Sequence, residues 1–92
     1  MPAHIRIHLL TTQGMQQESF EMAVGKGLRL DKLLSKLDKR GPFQRGFFRS
    51  VLKGKQGVTL LLNGERLDIT DARRISIQDG DALTILSPIT GG

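Results

Sequence analysis

The spacing of apolar residues changes period twice along this chain, and few folds accommodate that succession of periods. Residues 5–10 read Ile-Arg-Ile-His-Leu-Leu, so Ile5, Ile7 and Leu9 alternate with Arg6 and His8. That is the two-residue period of a half-buried strand. Thr11-Thr12-Gln13-Gly14 is turn chemistry, and residues 15–24 alternate again, with Phe20, Met22 and Val24 on one face. Two such runs joined by a short glycine-containing link predict an antiparallel hairpin. Beyond Gly25 and Gly27 the period becomes helical: Leu30, Leu33, Leu34 and Leu37 fall at i, i+3, i+4 and i+7, one apolar stripe of an amphipathic helix. Asp31 in its first turn and Lys36, Lys39 and Arg40 at its end complement the helix dipole, and Gly41-Pro42 stops it. Residues 43–53 predict a second, shorter helix. Phe43, Phe47, Phe48, Val51 and Leu52 make its apolar face, and Arg45, Arg49 and Lys53 stand at i, i+4 and i+8 on another.

The period then returns to two. Val58, Leu60 and Leu62 make a strand ending in Asn63-Gly64, the strongest short hairpin signal. Glu65–Leu67 is its short return strand, and Ile75 and Ile77 begin another extended piece. Asp79-Gly80-Asp81 is a tight turn, and Ala82–Leu86 is the last strand, with Leu83 and Ile85 inward. Pro88 cannot donate to a ladder and ends it. A hairpin, a crossing helix and further strands predict an α+β layer: a mixed sheet with one main helix packed on one face and a shorter second helix. The β-grasp architecture fits this order. With 92 residues the chain forms a single domain over 1–92, in which 88–92 are a flexible C-terminal tail.

Composition removes several chemistries. Cysteine is absent, which excludes a disulfide framework, a thiolate nucleophile and a zinc-thiolate site, and is compatible with the reducing cytoplasm where the protein is expected. His4 and His8 are the two imidazoles. With no third ligand nearby they read as structural or solvated, and no metal site is expected. No apolar run approaches the roughly 18 residues of a membrane span, and Met1-Pro2-Ala3-His4 does not open a secretory leader; no membrane partner is expected. The formal charge is +5, and it is unevenly placed. Lys36, Lys39, Arg40, Arg45, Arg49, Lys53 and Lys55 are opposed between residues 36 and 55 by Asp38 alone. The chain is thus a near-neutral domain with one basic segment.

The end of the chain carries the most chemical information. A final strand, a proline that stops it, a short spacer and then Gly91-Gly92 present a slim terminus away from the fold. Two glycines, lacking Cβ, let a tail thread a narrow channel and take backbone angles closed to other residues. A terminal carboxylate is a poor acyl donor until activated. Attack on the α-phosphate of ATP would give an acyl-adenylate, which sulfide or persulfide could convert into a thiocarboxylate.

The stretch Val58-Thr59-Leu60-Leu61-Leu62-Asn63-Gly64-Glu65, followed by Gln78-Asp79-Gly80-Asp81-Ala82-Leu83-Thr84-Ile85-Leu86-Ser87-Pro88-Ile89-Thr90-Gly91-Gly92, resembles the MoaD/ThiS family of ubiquitin-like sulfur carriers. Leu30, Leu33 and Leu34 resemble the family's first helix. The resemblance implies a ubiquitin-like β-grasp and a protein cosubstrate or small non-catalytic subunit rather than an enzyme. It implies that Gly92, with Gly91 beside it, is the acyl-adenylate and thiocarboxylate site. The activating partner would be an adenylyltransferase resembling the ubiquitin-activating enzymes; it uses ATP, and no cofactor is bound tightly by the carrier. The acceptor would be an enzyme such as a molybdopterin synthase large subunit or a thiazole synthase, with the dithiolene of molybdopterin as the first expected product and the thiazole of thiamin as the second.

Two features depart from the family's pattern. Arg29 stands where many members place a Thr or Ser that could cap the first helix, and the basic, Phe-rich segment 40–57 is not part of the common MoaD pattern. Alternation places Leu10, Leu61 and Leu86 on the sheet face away from the helix. The resemblance implies that this face, with Pro88, Ile89 and Thr90 of the tail, binds partners. Arg45, Arg49 and Lys53 form a stripe that either is a solvated face or steers the carrier to an acidic patch on a partner. Two other functions compete: a protein modifier conjugated to lysines through Gly92, and a β-grasp binding module without tail chemistry. For the latter, nucleic acid is an unlikely ligand, since no stacking motif of an RNA-recognition fold is present.

Overall fold

The computed structural model describes residues 2–11, 14–40, 46–54, 57–71 and 74–87, without the side chains of Leu10, Thr11 and Arg40. The alternating runs form an antiparallel hairpin of β1 (Ala3–Thr11) and β2 (Gly14–Met22), in which Ile5 faces Phe20 and Ile7 faces Glu18. The helical stripe becomes α1 (Leu30–Arg40). The basic segment holds α2 (Phe47–Leu52), shorter than the 43–53 expected; Phe43 and Arg45 lie outside the described residues. A second hairpin joins β4 (Thr59–Leu62) to β5 (Glu65–Leu67), and β7 (Ala82–Leu86) is the last strand. The extended piece expected at Ile75 and Ile77 is β6 (Ser76–Ile77); the sequence pattern did not anticipate β3 (Leu28–Arg29), its two-residue pairing with β6, or the 3-10 turn at Ile69–Asp71. Two residues are too few to display a period.

The main sheet has the order β2-β1-β7-β4-β5. Its centre is mixed: β7 runs parallel to β1 and antiparallel to β4. Ile5, Ile7, Leu9, Leu60, Leu83 and Ile85 point from one sheet face into the core, where they meet Leu30, Leu33, Leu34 and Leu37 of α1. This is the α+β, β-grasp arrangement of a mixed sheet with a main helix on one face. Burying a Leu or Ile side chain contributes about 1.5–3 kcal/mol relative to exposure, so this interleaved aliphatic layer dominates stability.

The two helix starts are capped by unexpected partners. At α1, where Arg29 replaces a capping hydroxyl, the Leu30 amide donates to the Ile75 carbonyl at 2.8 Å. The Asp31 carboxylate accepts from the Lys32 amide and from the guanidinium of Arg29 at 2.9 and 3.0 Å. Partial desolvation raises the Asp31 pKa, but Arg29 and the Lys32 amide outweigh it and hold the carboxyl below its ordinary range. At α2, Asp38 of α1 reaches across eight residues, its Oδ1 accepting from the Gly46 amide at 2.8 Å and the Phe48 amide at 3.3 Å. Phe48 and Val51 are buried, and the Phe47 ring meets Phe48 edge-on at 5.2 Å. The basic segment is therefore packed on the body through α2.

Asn63-Gly64 and Asp79-Gly80-Asp81, 18 residues apart, are one polar clasp. Asn63 lies at φ +52° and Gly64 at +86°, the left-handed pair that a tight hairpin turn needs. The Asn63 side chain donates to Asp81 Oδ1 at 3.0 Å and accepts from the Ala82 amide at 2.9 Å. Asp81 Oδ2 accepts from the Gln78 amide at 2.8 Å, and the Asp81 carbonyl accepts from the His4 amide at 2.8 Å. The clasp thus ties the start of β7 to β1 and to the β4–β5 turn. Asn63→Gly keeps the backbone conformation but loses both side-chain bonds, and is expected to cost about 1–2 kcal/mol. Asn63→Ala should cost about 1 kcal/mol more, because a Cβ is strained at positive φ. Urea denaturation checks this order; a fully stable Asn63→Gly protein would contradict the clasp.

Candidate functional site

β7 delivers the chain to the tail. Leu83 and Ile85 anchor it inward with 0% exposure each, and it is hydrogen-bonded on both sides as the central strand. Just past its end, the Ser87 amide donates to the His8 carbonyl at 2.9 Å. The root of the tail is therefore held against β1. Pro88, Ile89, Thr90, Gly91 and Gly92 lie outside the described residues.

The sheet face away from α1 surrounds this root. Cross-strand partners share a face, so register assigns its occupants. In one row Leu61 of β4 stands between Arg66 of β5 and Thr84 of β7, followed by Arg6 of β1 and Ser19 of β2. In the next row, nearer the root, come Thr59, Leu86, His8 and Gln17. Leu61 and Leu86 are diagonal neighbours and both are partly buried, whereas Arg6 and Arg66 are exposed. Leu10 lies in β1 opposite Met15, but its side chain is outside the description. The structure brings together two of the three leucines expected on this face and adds a cationic rim that sequence reasoning missed. The signal was present: alternation gives Arg6 and His8 the same face as Leu86 once β1 and β7 are paired, and the pairing is what the sequence withheld. His4, on the same face, shares a 3.0 Å hydrogen bond with the Ser19 hydroxyl.

The chemistry of this arrangement is that of a contact surface. Apolar Leu61 and Leu86 offer area to desolvate, and Arg6 and Arg66 offer charge-assisted hydrogen bonds at the rim. Among the described residues no group of three or more His, Asp and Glu is placed to hold a metal ion, and no described helix is long and apolar enough to cross a membrane. Of the basic stripe, Arg49 and Lys53 are exposed on α2 and its C-cap, on the helical side of the molecule; Arg45 is outside the described residues.

Comparison with known proteins adds the family. The model of the ThiS family matches residues 9–92 of this chain. Among solved structures the chain is similar to the solution structure of the small archaeal modifier protein 1 (SAMP1) from Methanosarcina acetivorans. The two share 22% identity and a TM-score of 0.47 over 100% of this chain and 99% of that chain. A comparison with curated proteins finds no match.

If the face beside the tail root is where partners dock, Leu86→Glu places a carboxylate in a desolvated contact. It should weaken binding to an activating partner by about 1–3 kcal/mol. Because Leu86 is only partly buried, the cost in folding stability should be smaller, up to about 1 kcal/mol. Calorimetric titration beside a denaturation curve separates the two, and an unchanged affinity would remove Leu86 from the interface.

Proposed function

Since the chain belongs to the ThiS family, we propose that it is a ubiquitin-like sulfur carrier whose terminal Gly92 holds the sulfur as a thiocarboxylate. The observation that carries this reading is the extent of the family match, which runs unbroken to Gly92 and so includes the Pro88–Gly92 tail. The tail root held against β1 and the sheet face beside it support the reading. A partner can grip Leu61, Leu86, Arg6 and Arg66 while drawing Ile89, Thr90 and the two glycines into its own active site.

The reaction needs no catalytic group on this chain. A Gly92 carboxylate oxygen attacks the α-phosphorus of ATP in the partner's site; pyrophosphate leaves and an acyl-adenylate forms. Sulfide then attacks the acyl carbon, AMP leaves, and the terminus carries sulfur in place of one oxygen. A persulfide donor gives the same product after an acyl disulfide is cleaved by a thiol. Gly91 contributes by its lack of a side chain in the partner's channel. The thiocarboxylate sulfur then passes to an acceptor enzyme. Incubating the charged carrier with a molybdopterin synthase large subunit and with a thiazole synthase identifies which of the two proposed acceptors it serves.

The test is adenylation itself. Wild-type protein with its activating enzyme should support ATP–pyrophosphate exchange. Deleting Gly92, or extending it with a C-terminal tag, should abolish that exchange while thermal stability stays unchanged. Gly91→Val should reduce it through steric bulk alone. Full exchange by an untrimmed tagged protein would overturn the proposal.

A further inference from the structure

We propose that the exposed sides of α1 and α2 form a second docking surface, on the opposite side of the molecule from the sheet face, and that its occupant is an acidic protein surface. Asp31, Lys32 and Ser35 of α1 line one groove together with Arg49, Lys53 and Thr70, and Ser35, Asp38 and Lys39 line an adjoining one with Arg49. Arg49 is common to both, so cations distant in sequence converge on it. Lys36 is exposed on the same face of α1, four residues from Lys32 and three from Lys39.

The two acids of these grooves are outnumbered by Lys32, Lys39, Arg49 and Lys53 and are largely engaged elsewhere, although Lys32 adds to the charge that holds Asp31 ionised. The Asp31 carboxylate is occupied by the fork of Arg29, and the Asp38 Oδ1 by the two amides that begin α2. What remains are like-charge pairs at helical spacing: Lys32 with Lys36, Lys36 with Lys39, and Arg49 with Lys53. Such pairs destabilise a helix, and with Asp31 and Asp38 counted the surface still carries a net positive charge. The arrangement forgoes local stability to concentrate one charge. It is also held in place, since Asp38 fixes the start of α2 and Phe48 and Val51 anchor it in the core; little ordering is needed when a partner arrives.

The chemistry favours carboxylates on a protein over nucleic acid. Among the described residues no aromatic ring is exposed on this side: Phe48 is buried and Phe47 is partly covered against it. Base stacking, which carries much of single-stranded recognition, has no exposed platform among the described residues. Because α1 separates this surface from the sheet, both sides can be engaged at once, so a carrier docked by its tail face can still hold a second partner.

The test is an amide chemical-shift titration of the full chain at low salt with poly-L-glutamate, and in parallel with a single-stranded RNA of equal charge. Poly-L-glutamate should shift Lys32, Ser35, Lys39, Arg49 and Lys53 and leave Leu61 and Leu86 unmoved. Replacing Lys32, Lys39, Arg49 and Lys53 together by Gln should weaken its binding on the order of tenfold or more. Should that variant lose its dispersed spectrum, Lys39→Gln with Arg49→Gln carries the same comparison with a smaller loss. Shifts spread over the sheet face, equal affinity of wild type and variant, or tighter binding of the RNA would each overturn the proposal. The titration requires no tail chemistry, so its failure leaves the sulfur-carrier reading standing, and failure of adenylation leaves this one standing.

Discussion

The insertion of β7 between β1 and β4 is the constraint on which the rest of the structure depends. A parallel neighbour cannot be reached by a tight turn; the chain must leave the sheet, cross a face and return. Here the chain first adds β2 beside β1, then crosses the inner face through α1 and re-enters the sheet as β4 and β5 before β7 is laid down. Ile5, Ile7, Leu83 and Ile85 become neighbours only when β7 is seated. The sheet's centre is therefore its most non-local part, and its assembly bears the loop-closure cost that slows such topologies. The same insertion ties function to stability. Because β7 is central, the tail root at Ser87 starts from a strand paired on both sides and is itself hydrogen-bonded to β1.

Much of this was legible from residue spacing. Strand alternation in β1, β4 and β7 and the leucine stripe of α1 report burial directly, since each side chain's face is fixed by the local period. Leu30, Leu33, Leu34, Leu37, Leu83 and Ile85 all stand where that period puts them, buried. What was not legible depends on partners that no local pattern encodes. The β3–β6 ribbon is too short to have a period. The Ile75 carbonyl that replaces a side-chain cap at Leu30 lies 45 residues downstream. Asn63 and Asp81 could each be recognised as turn residues, but not as each other's hydrogen-bond partners.

The candidate surfaces divide along the same line. Parity put Leu61 and Leu86 on the outer sheet face, while the pairing of β1 with β7 was needed to set Arg6 and His8 beside them. The basic stripe on α2 could be read from its i, i+4 spacing. Its union with Lys32 and Lys39 could not, because that depends on how α2 packs along α1 through Asp38, Phe48 and Val51. The result is a layered molecule with a mostly polar sheet face that carries Leu61 and Leu86 between Arg6 and Arg66 on one side and a cationic helical surface on the other.

The central claim is that Gly92 carries sulfur, and intact-mass measurement addresses it directly. Protein produced together with its activating enzyme and a sulfur source, kept under non-reducing conditions and then analysed whole, should contain a species in which one oxygen is replaced by sulfur. Fragmentation should place the exchange on the terminal glycine. Free protein that carries no sulfur at its terminus, with the remainder appearing as a ladder of conjugates to lysines of other proteins, would contradict the account and make the chain a modifier.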